Sequence, residues 1–380
     1  MKGPMMLYVD FCAIQNVPSN NINRDDTGAP KTAVYGGVRR ARVSSQAWKK
    51  AMRDEFASML PEEVLAIRTK LVADQVACVI EDMCPDLHEK ALPLAKAALT
   101  AAGIAVEESK RSGDDEGKIA AKYLIFISRA EIVALANAAL AWEENGVDWA
   151  TAKPKDLKKD VAGAFHGKQG IEIALFGRML ADAPDLNVDA CAQVAHSISV
   201  DRVTQEYDYF TAMDQCAADD NAGAAMIDST GYNSSTLYRY VTVNVSSLVD
   251  QLGDTQTTVD AVAAFAEAFI RSMPTGKQNS FANRTLPNAV LVSVRDKQPV
   301  NPVSAFEVPV AAKGAESISR VAARKLGARV GSIERSYDMP ACAAWNIVDS
   351  EPVEELDTVS VRTDLPGLLE SLRVQLAERL

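Results

Sequence analysis

The sequence predicts an α+β fold in which a βαββαβ pattern is interrupted by two insertions. Three observations predict it. A strand pattern near the N-terminus leads into a capped amphipathic helix. Almost continuous helical periodicity then fills residues 61–189. Beyond it, strand, helix and strand patterns succeed one another at 237–245, 259–271 and 289–294. The chain has 380 residues, 48% hydrophobic and 24% charged, which suits two or three domains with sizeable cores.

Residues 5–14 alternate as a strand, with Leu7, Val9 and Phe11 on one face and Tyr8, Asp10 and Cys12 on the other. Residues 16–37 carry Pro18, Asn20, Asn21, Gly28, Pro30, Gly36 and Gly37, which predicts a long loop. A helix follows Ser44-Ser45, either of which can cap it. Trp48, Met52, Phe56 and Met59 form its apolar stripe. Within 61–189, helical patterns cover 62–82, 87–101, 120–145 and 157–180, with polar breaks such as Ser112-Gly113-Asp114-Asp115. Residues 192–203 alternate as a strand through Val194, His196, Ile198 and Val200. The run 237–245, Leu-Tyr-Arg-Tyr-Val-Thr-Val-Asn-Val, is the clearest strand, rich in β-branched and aromatic side chains. Val262, Phe265, Ala266 and Phe269 place a helix over 259–271, and 289–294 is a further strand. Leu368, Leu369, Leu372 and Leu376 mark a C-terminal helix. With the insertions at 61–189 and 203–235 removed, the order is ferredoxin-like, the pattern shared by RNA-recognition domains.

Several function classes are disfavoured. No apolar run of ~18–20 residues lacks charges, so no membrane span is expected. Asp10 interrupts the N-terminal run before a signal-peptide core could build, so a cytoplasmic location is expected. The six cysteines, Cys12, Cys78, Cys84, Cys191, Cys216 and Cys342, include no C-x-x-C and are expected as free thiols. The three histidines, His88, His166 and His196, lack metal-ligand spacing, so neither a metal nor a cofactor is expected. No G-x-S-x-G nucleophile signature and no Walker A loop are present.

Charge is the informative feature. Lys and Arg number 40 against 51 Asp and Glu, a net charge of −11, and a uniformly acidic surface would repel nucleic acid. The charge is not uniform. Between Asp26 and Asp54 there is no acidic residue, while Lys31, Arg39, Arg40, Arg42, Lys49, Lys50 and Arg53 give +7; the other residues carry −18. Gly36-Gly37 offers a tight turn, and Arg40 and Arg42 alternate onto one face leading to Ser44, Ser45 and Gln46 at a helix start. Arginine forks, lysine point charges and unpaired helix N–H groups together suit a phosphodiester backbone. A solvated basic helix face is the plainer alternative. A second acid-free stretch, 271–295, places Lys277 and Gln278 in a loop that either touches phosphate or sugar or is simply soluble. Lys153, Lys155, Lys158 and Lys159 are interleaved with Asp156 and Asp160, which by itself suits a solvated charged helix. The aromatic run 207–210 and the segment 173–179 read as core residues, or as exposed groups able to meet bases.

Asn23-Arg24-Asp25-Asp26, followed by Tyr35-Gly36-Gly37, Arg39-Arg40, Arg42 and Ser44-Ser45-Gln46, resembles the CasC branch of the Cas-seven family. These are the crRNA-binding backbone subunits of type I-E CRISPR Cascade complexes. The resemblance continues in order through 173–179, 194–198, 208–214, Leu237-Tyr238-Arg239-Tyr240 and Gly276-Lys277-Gln278, and becomes loose beyond about residue 300.

The resemblance implies a hand-like molecule: an RRM-like palm (1–60, 190–202 and 236–380), helical fingers (61–189) and a hairpin-like thumb (203–235). It implies that Arg24, Lys31, Lys49, Lys50 and Arg53 hold the guide-RNA backbone. It also makes Met179 and Phe210, with Tyr209, wedges that displace a base, and Lys155, Lys158 and Lys159 a weaker DNA contact. The implied function is non-catalytic: copies of the chain assemble head to tail on the CRISPR guide RNA, beside other Cascade subunits, and present it to target DNA. The RNP1 string of a standard RRM is absent from 237–245, so base stacking on the sheet face is not expected. Two alternatives stand beside this. One is a metal-dependent RNase acting on guide-paired RNA through Asp25 or Asp26; the other is a scaffold that carries no RNA.

Overall fold

The computed structural model describes residues 6–108, 118–165, 169–213, 224–312 and 314–380. Its elements run β1 (Tyr8–Asn20), β2 (Thr32–Tyr35), β3 (Val38–Val43) and α1 (Ser45–Met59). Next come β4 (Ala66–Thr69), α2 (Val72–Met83), α3 (His88–Ala101), β5 (Val106–Glu108), β6 (Ile119–Ala121) and β7 (Ile125–Ser128). α4 (Arg129–Glu144), α5 (Pro154–Phe165) and α6 (Ile171–Phe176) precede β8 (Ala192–Val194), β9 (Ser197–Ser199), β10 (Glu206–Met213) and β11 (Ala224–Asn244). Then follow α7 (Val245–Leu252), α8 (Thr255–Arg271), α9 (Gln278–Phe281) and β12 (Ala289–Arg295). The chain ends with α10 (Ile318–Tyr337), β13 (Ala343–Val348), α11 (Glu354–Asp357), β14 (Val361–Arg362) and α12 (Leu365–Ala377).

Two compact units form. One comprises Met1–Glu55, Gln193–Ser246 and Val262–Leu380; the other comprises Phe56–Ala192 and Ser247–Ala261. The first is built on a sheet of order β14-β13-β12-β1-β11-β9-β3-β2, with β8 and β10 also paired to β11. At its centre β12, β1, β11 and β9 are successive antiparallel neighbours. Strand alternation gives that centre two apolar faces. On one, Phe11 meets Phe265 and Phe269 of α8 at ring distances of 5.6 and 5.8 Å. On the other, Cys12, Ile14, Tyr238 and Tyr240 pack with Val321, Ala322, Leu326 and Val330 of α10. Arg295 secures that layer by pairing with Asp10 on β1 and Glu334 on α10, both at 3.0 Å.

Arg239 joins the first face to its helices. It is buried on β11, with its guanidinium 3.8 Å from the Trp48 ring centre on α1 and 4.5 Å from that of Phe269 on α8. It donates to Gln15 Oε1 at 2.7 Å and to the Phe269 carbonyl. Burial lowers its pKa to about 9, which still leaves it charged at neutral pH. The indole N–H of Trp48 in turn donates to Ser197 Oγ on β9 at 2.8 Å. Sheet and helices are thereby held by polar bonds as well as by apolar burial.

The second unit packs α2, α3, α4 and α5 around an alanine-rich core that includes Ala91, Ala95, Ala98, Leu135, Ala136 and Ala139. Small side chains allow the helices to approach closely. α4 starts at a capping box: Ser128 Oγ accepts from the Glu131 amide, and the Glu131 carboxylate accepts from the Ser128 amide. Glu131 also forms a buried ion pair with Arg178 at 2.6 Å.

The structure corrects several sequence expectations. Residues 16–37 are not one loop, because β1 continues to Asn20 and β2 pairs with β3 across a two-residue turn, Gly36-Gly37, both at positive φ. The helical pattern over 120–145 conceals β6 and β7, whose Ile125-Phe126-Ile127 segment is fully buried. The pattern over 157–180 divides into α5, which starts earlier at Pro154, and α6, which stops at Gly177 with φ 76°. The strand at 192–203 breaks into β8 and β9 on either side of His196. Among the described residues no helix is long and apolar enough to cross a membrane. Cys12, Cys78, Cys84, Cys191 and Cys342 are free thiols; Cys216, Asp214 and His166 lie outside the described residues.

Arg239→Ala is expected to destabilise the first unit by about 3 kcal/mol, since two buried acceptors and two ring contacts lose their partner. That corresponds to a fall of about 6–12 °C in thermal midpoint. Calorimetry checks it, and a fall of under about 2 °C would show that the helices sit on the sheet without this contact.

Candidate nucleic-acid interface

The basic segment is placed by local structure at both ends. At one end, Asn21 is fully buried and its Nδ2 donates to the carbonyls of Gly28 and Gly231, both at 2.9 Å. This fastens the 21–31 loop to β11. Within the loop, Asp25 Oδ1 accepts from the Thr27 hydroxyl (2.7 Å) and from the amides of Thr27 and Ala29 (2.9 and 3.0 Å). The Thr27 bond leads in holding its pKa below the usual carboxylate range. At the other end, Ser44 N donates to Asn23 Oδ1 at 2.8 Å, and Ser44 Oγ accepts from Ala47 N at 3.4 Å, which caps α1.

Between these ends, Lys31 and Arg42 lie beside the gap between β8 and β9 that holds His196. Lys31 N donates to Asn23 O, and Arg42 N donates to Lys31 O, both at 2.9 Å, so the two residues are held in register. Arg42 Nη1 lies 3.0 Å from His196 Nδ1. Burial, then Arg42, then Lys31 push the His196 pKa below its ordinary value, as a concentration of positive charge must. On α1, Gln46 and Lys50 are exposed while Ser45, Lys49 and Arg53 are half-buried; Lys50 pairs with Asp54 at 2.6 Å. Arg24 is exposed beside the bridge it forms with Pro30.

The loop after α8 reaches the same place. Gly276 packs so closely on the 21–22 backbone that a Cβ there would fall 2.5 Å from Ile22 O. Lys277, at φ 53°, and Gln278 therefore follow directly from the base of the 21–31 loop. The β10–β11 arm also starts there, with Tyr207 paired to Gly231. On the arm Tyr209 is 65% exposed and Phe210 36%. As neighbours on one strand they face opposite sides.

The family model of the CT1975-like protein matches residues 9–371. The chain belongs to this family. CT1975-like membership agrees with the Cas-seven resemblance of residues 23–46. Solved structures agree too. A chain of a "CRISPR RNA-guided surveillance complex, pre-nicking" is 30% identical, with a TM-score of 0.82, over 97% of this chain and 100% of that one. A chain of a "CRISPR RNA-guided surveillance complex" is 27% identical, with a TM-score of 0.69, over 97% and 99%. No curated protein sequence gives a significant match.

Two of the expected RNA contacts are corrected in this CT1975-like chain. Arg40 is completely buried. Its Nε donates to Tyr35 O (3.2 Å), its Nη1 to Ser199 O and Val200 O (3.0 and 2.6 Å), and its Nη2 to Phe306 O and Glu307 O (2.9 and 3.2 Å). Five carbonyls leave no donor for phosphate. The same contact seats Gly36, where a Cβ would fall 1.7 Å from Glu307 O. Ser44 is buried as well, and acts as the helix cap. Sequence reasoning placed His196 in a strand and in the 194–198 resemblance but gave it no contact with RNA.

In the second unit Met179 is 85% exposed. Gly177 ends α6, and the next residue, Arg178, is buried against Glu131 and the Leu186 carbonyl, so Met179 is turned outward. Lys155, Lys158 and Lys159 are exposed on α5, and Lys158 pairs with Asp185 at 3.2 Å. Among the described residues no group of three His, Cys, Asp or Glu side chains is placed to hold a metal ion.

Arg40→Ala is expected to cost at least about 3 kcal/mol of stability, because several buried carbonyls lose their donor. The salt dependence of RNA binding by the folded variant should stay unchanged. A stable variant with a shallower salt slope would return Arg40 to the phosphate-contacting set.

Proposed function

We propose that the chain is a non-catalytic RNA-binding subunit that polymerises head to tail along a CRISPR guide RNA of the type I-E kind. It presents the spacer for pairing with target DNA, beside other Cascade subunits and in the cytoplasm. The observation that carries this is the convergence of Lys31, Arg42, the start of α1 and the 276–278 loop on one basic surface of an acidic chain. The likeness to chains of RNA-guided surveillance complexes supports the same reading.

The antiparallel order β12-β1-β11-β9, with α1 and α8 on one face, supports an RRM-like palm. The other face lies under α10, with Tyr238 and Tyr240 buried. Bases therefore cannot stack on the sheet, and the RNA is held by its backbone while base pairing reads sequence. Residues 61–189 act as fingers and 203–235 as a thumb; part of the latter, 214–223, lies outside the described residues. Arg24, Lys31, Arg42, Ser45, Gln46, Lys49, Lys50, Arg53, Lys277 and Gln278 contact the RNA backbone. Met179 and one of Tyr209 and Phe210 displace a base, since the arm's two aromatic residues face opposite sides. Lys155, Lys158 and Lys159 attract target DNA. Head-to-tail contacts are heterologous and do not close, which permits a filament.

Denaturing extraction of the purified chain, co-expressed with a CRISPR array, tests the reading. A discrete small RNA of spacer-repeat sequence is expected, and its absence would contradict RNA binding. Lys31→Ala should weaken binding of all RNA sequences alike and reduce the slope of log K against log salt by about 0.7. An unchanged slope would remove Lys31 from the phosphate contacts.

A further inference from the structure

We propose that His196 completes a three-armed phosphate clamp with Lys31 and Arg42, and that it takes up a proton as the phosphate binds. Its role presupposes that the basic surface binds RNA.

The geometry begins with the strand register. β3 and β9 pair Arg42 with Ile198 and Val43 with Ser197, so one further step sets His196 opposite Ser44, the cap of α1. His196 is exposed at the break between β8 and β9, where no ladder constrains the ring. Arg42 Nη1 stands 3.0 Å from His196 Nδ1. A guanidinium only donates, so Nδ1 accepts and Nε2 carries the hydrogen of the neutral imidazole. The charged groups acting on the ring are Arg42 on β3 and Lys31 ahead of β2. The first turn of α1 contributes no acidic residue.

Three groups able to bear positive charge thus converge; the Asp25 carboxylate acts on Lys31, while the charges that shift the His196 ring are Arg42 and Lys31. In the free protein burial, and then this arrangement of charges, favour the neutral form of His196. A phosphodiester placed among the three reverses the balance. Its oxygens accept from Lys31 Nζ, from Arg42 and from His196 Nε2, and its charge favours imidazolium. When Nδ1 takes a proton from solvent it no longer accepts from Arg42, and Nη1 is released to the phosphate. The bound-state pKa of His196 then exceeds the free-state pKa. RNA affinity rises as pH falls through the bound value and levels off below the free value. Each unit of difference is worth about tenfold in affinity.

The test uses the purified full-length chain and a mixed-sequence single-stranded RNA oligonucleotide, from pH 5.5 to 8.5 at constant ionic strength. The wild type is expected to gain about tenfold in affinity toward low pH, for a shift of about one unit. His196→Gln removes the titrating group and should give a flat profile, whatever its affinity at the alkaline end. Titration calorimetry in two buffers of different ionisation heat should show proton uptake by the wild type and none by His196→Gln. An equal pH slope in both proteins overturns the clamp while leaving RNA binding intact. No RNA binding at any pH overturns the RNA-binding function and the clamp with it. Should the variant fail to fold, absence of proton uptake by the wild type overturns the clamp on its own.

Discussion

A guanidinium buried without a carboxylate partner is costly unless its donors and its flat faces are all occupied. Arg239 offsets part of that cost by lying against Trp48 and Phe269 while donating to Gln15 and to the Phe269 carbonyl. These contacts fall on three elements: α1, α8 and β1. The arginine therefore works as a junction, and the orientation of α1 on the sheet depends on it. Trp48 passes that orientation on through its bond to Ser197, the neighbour of His196. The basic surface, at the N-terminal end of α1 and beside β9, is placed by this chain of contacts together with the anchoring of the 21–31 loop through Asn21 and Asn23.

The charge balance takes on a more specific meaning. The +7 of residues 27–53 is not all available at the surface, because Arg40 is buried against five carbonyls. Arg178, Arg239 and Arg295 are also buried, each serving the fold. Within residues 27–53, Lys31, Arg39, Arg42, Lys49, Lys50 and Arg53 stay at least partly exposed. The acidic charge of the other residues would confine polyanions to such a spot, which suits the proposed RNA-binding role.

Much of this was legible in the sequence. Alternation of residues 5–14 correctly separated the two faces of β1, and the stripe Trp48, Met52 and Phe56 identified α1. The acid-free window contains Lys31, Arg42 and the start of α1. What the sequence concealed has identifiable physical causes. Arg40 and Arg42 share a strand face and look equivalent locally. They differ because Phe306 and Glu307, more than 260 residues further along, close over one of them. Helical periodicity masked β7, although the Ser128–Glu131 capping box marked where α4 begins. The aromatic residues of 237–240 gave no hint of their cover, since α10 belongs to the region whose resemblance was loose.

Ultraviolet crosslinking of the purified chain to a guide RNA, followed by peptide mapping, addresses the central claim most directly: that one basic surface, set by α1 and the 21–31 loop, carries the RNA. Crosslinked nucleotides are expected on peptides spanning residues 24–53, 196, 276–278 and the β10–β11 arm, and not on α10, β13 or α12. Crosslinks concentrated on α10 or on the C-terminal elements, with 24–53 unmodified, would contradict it.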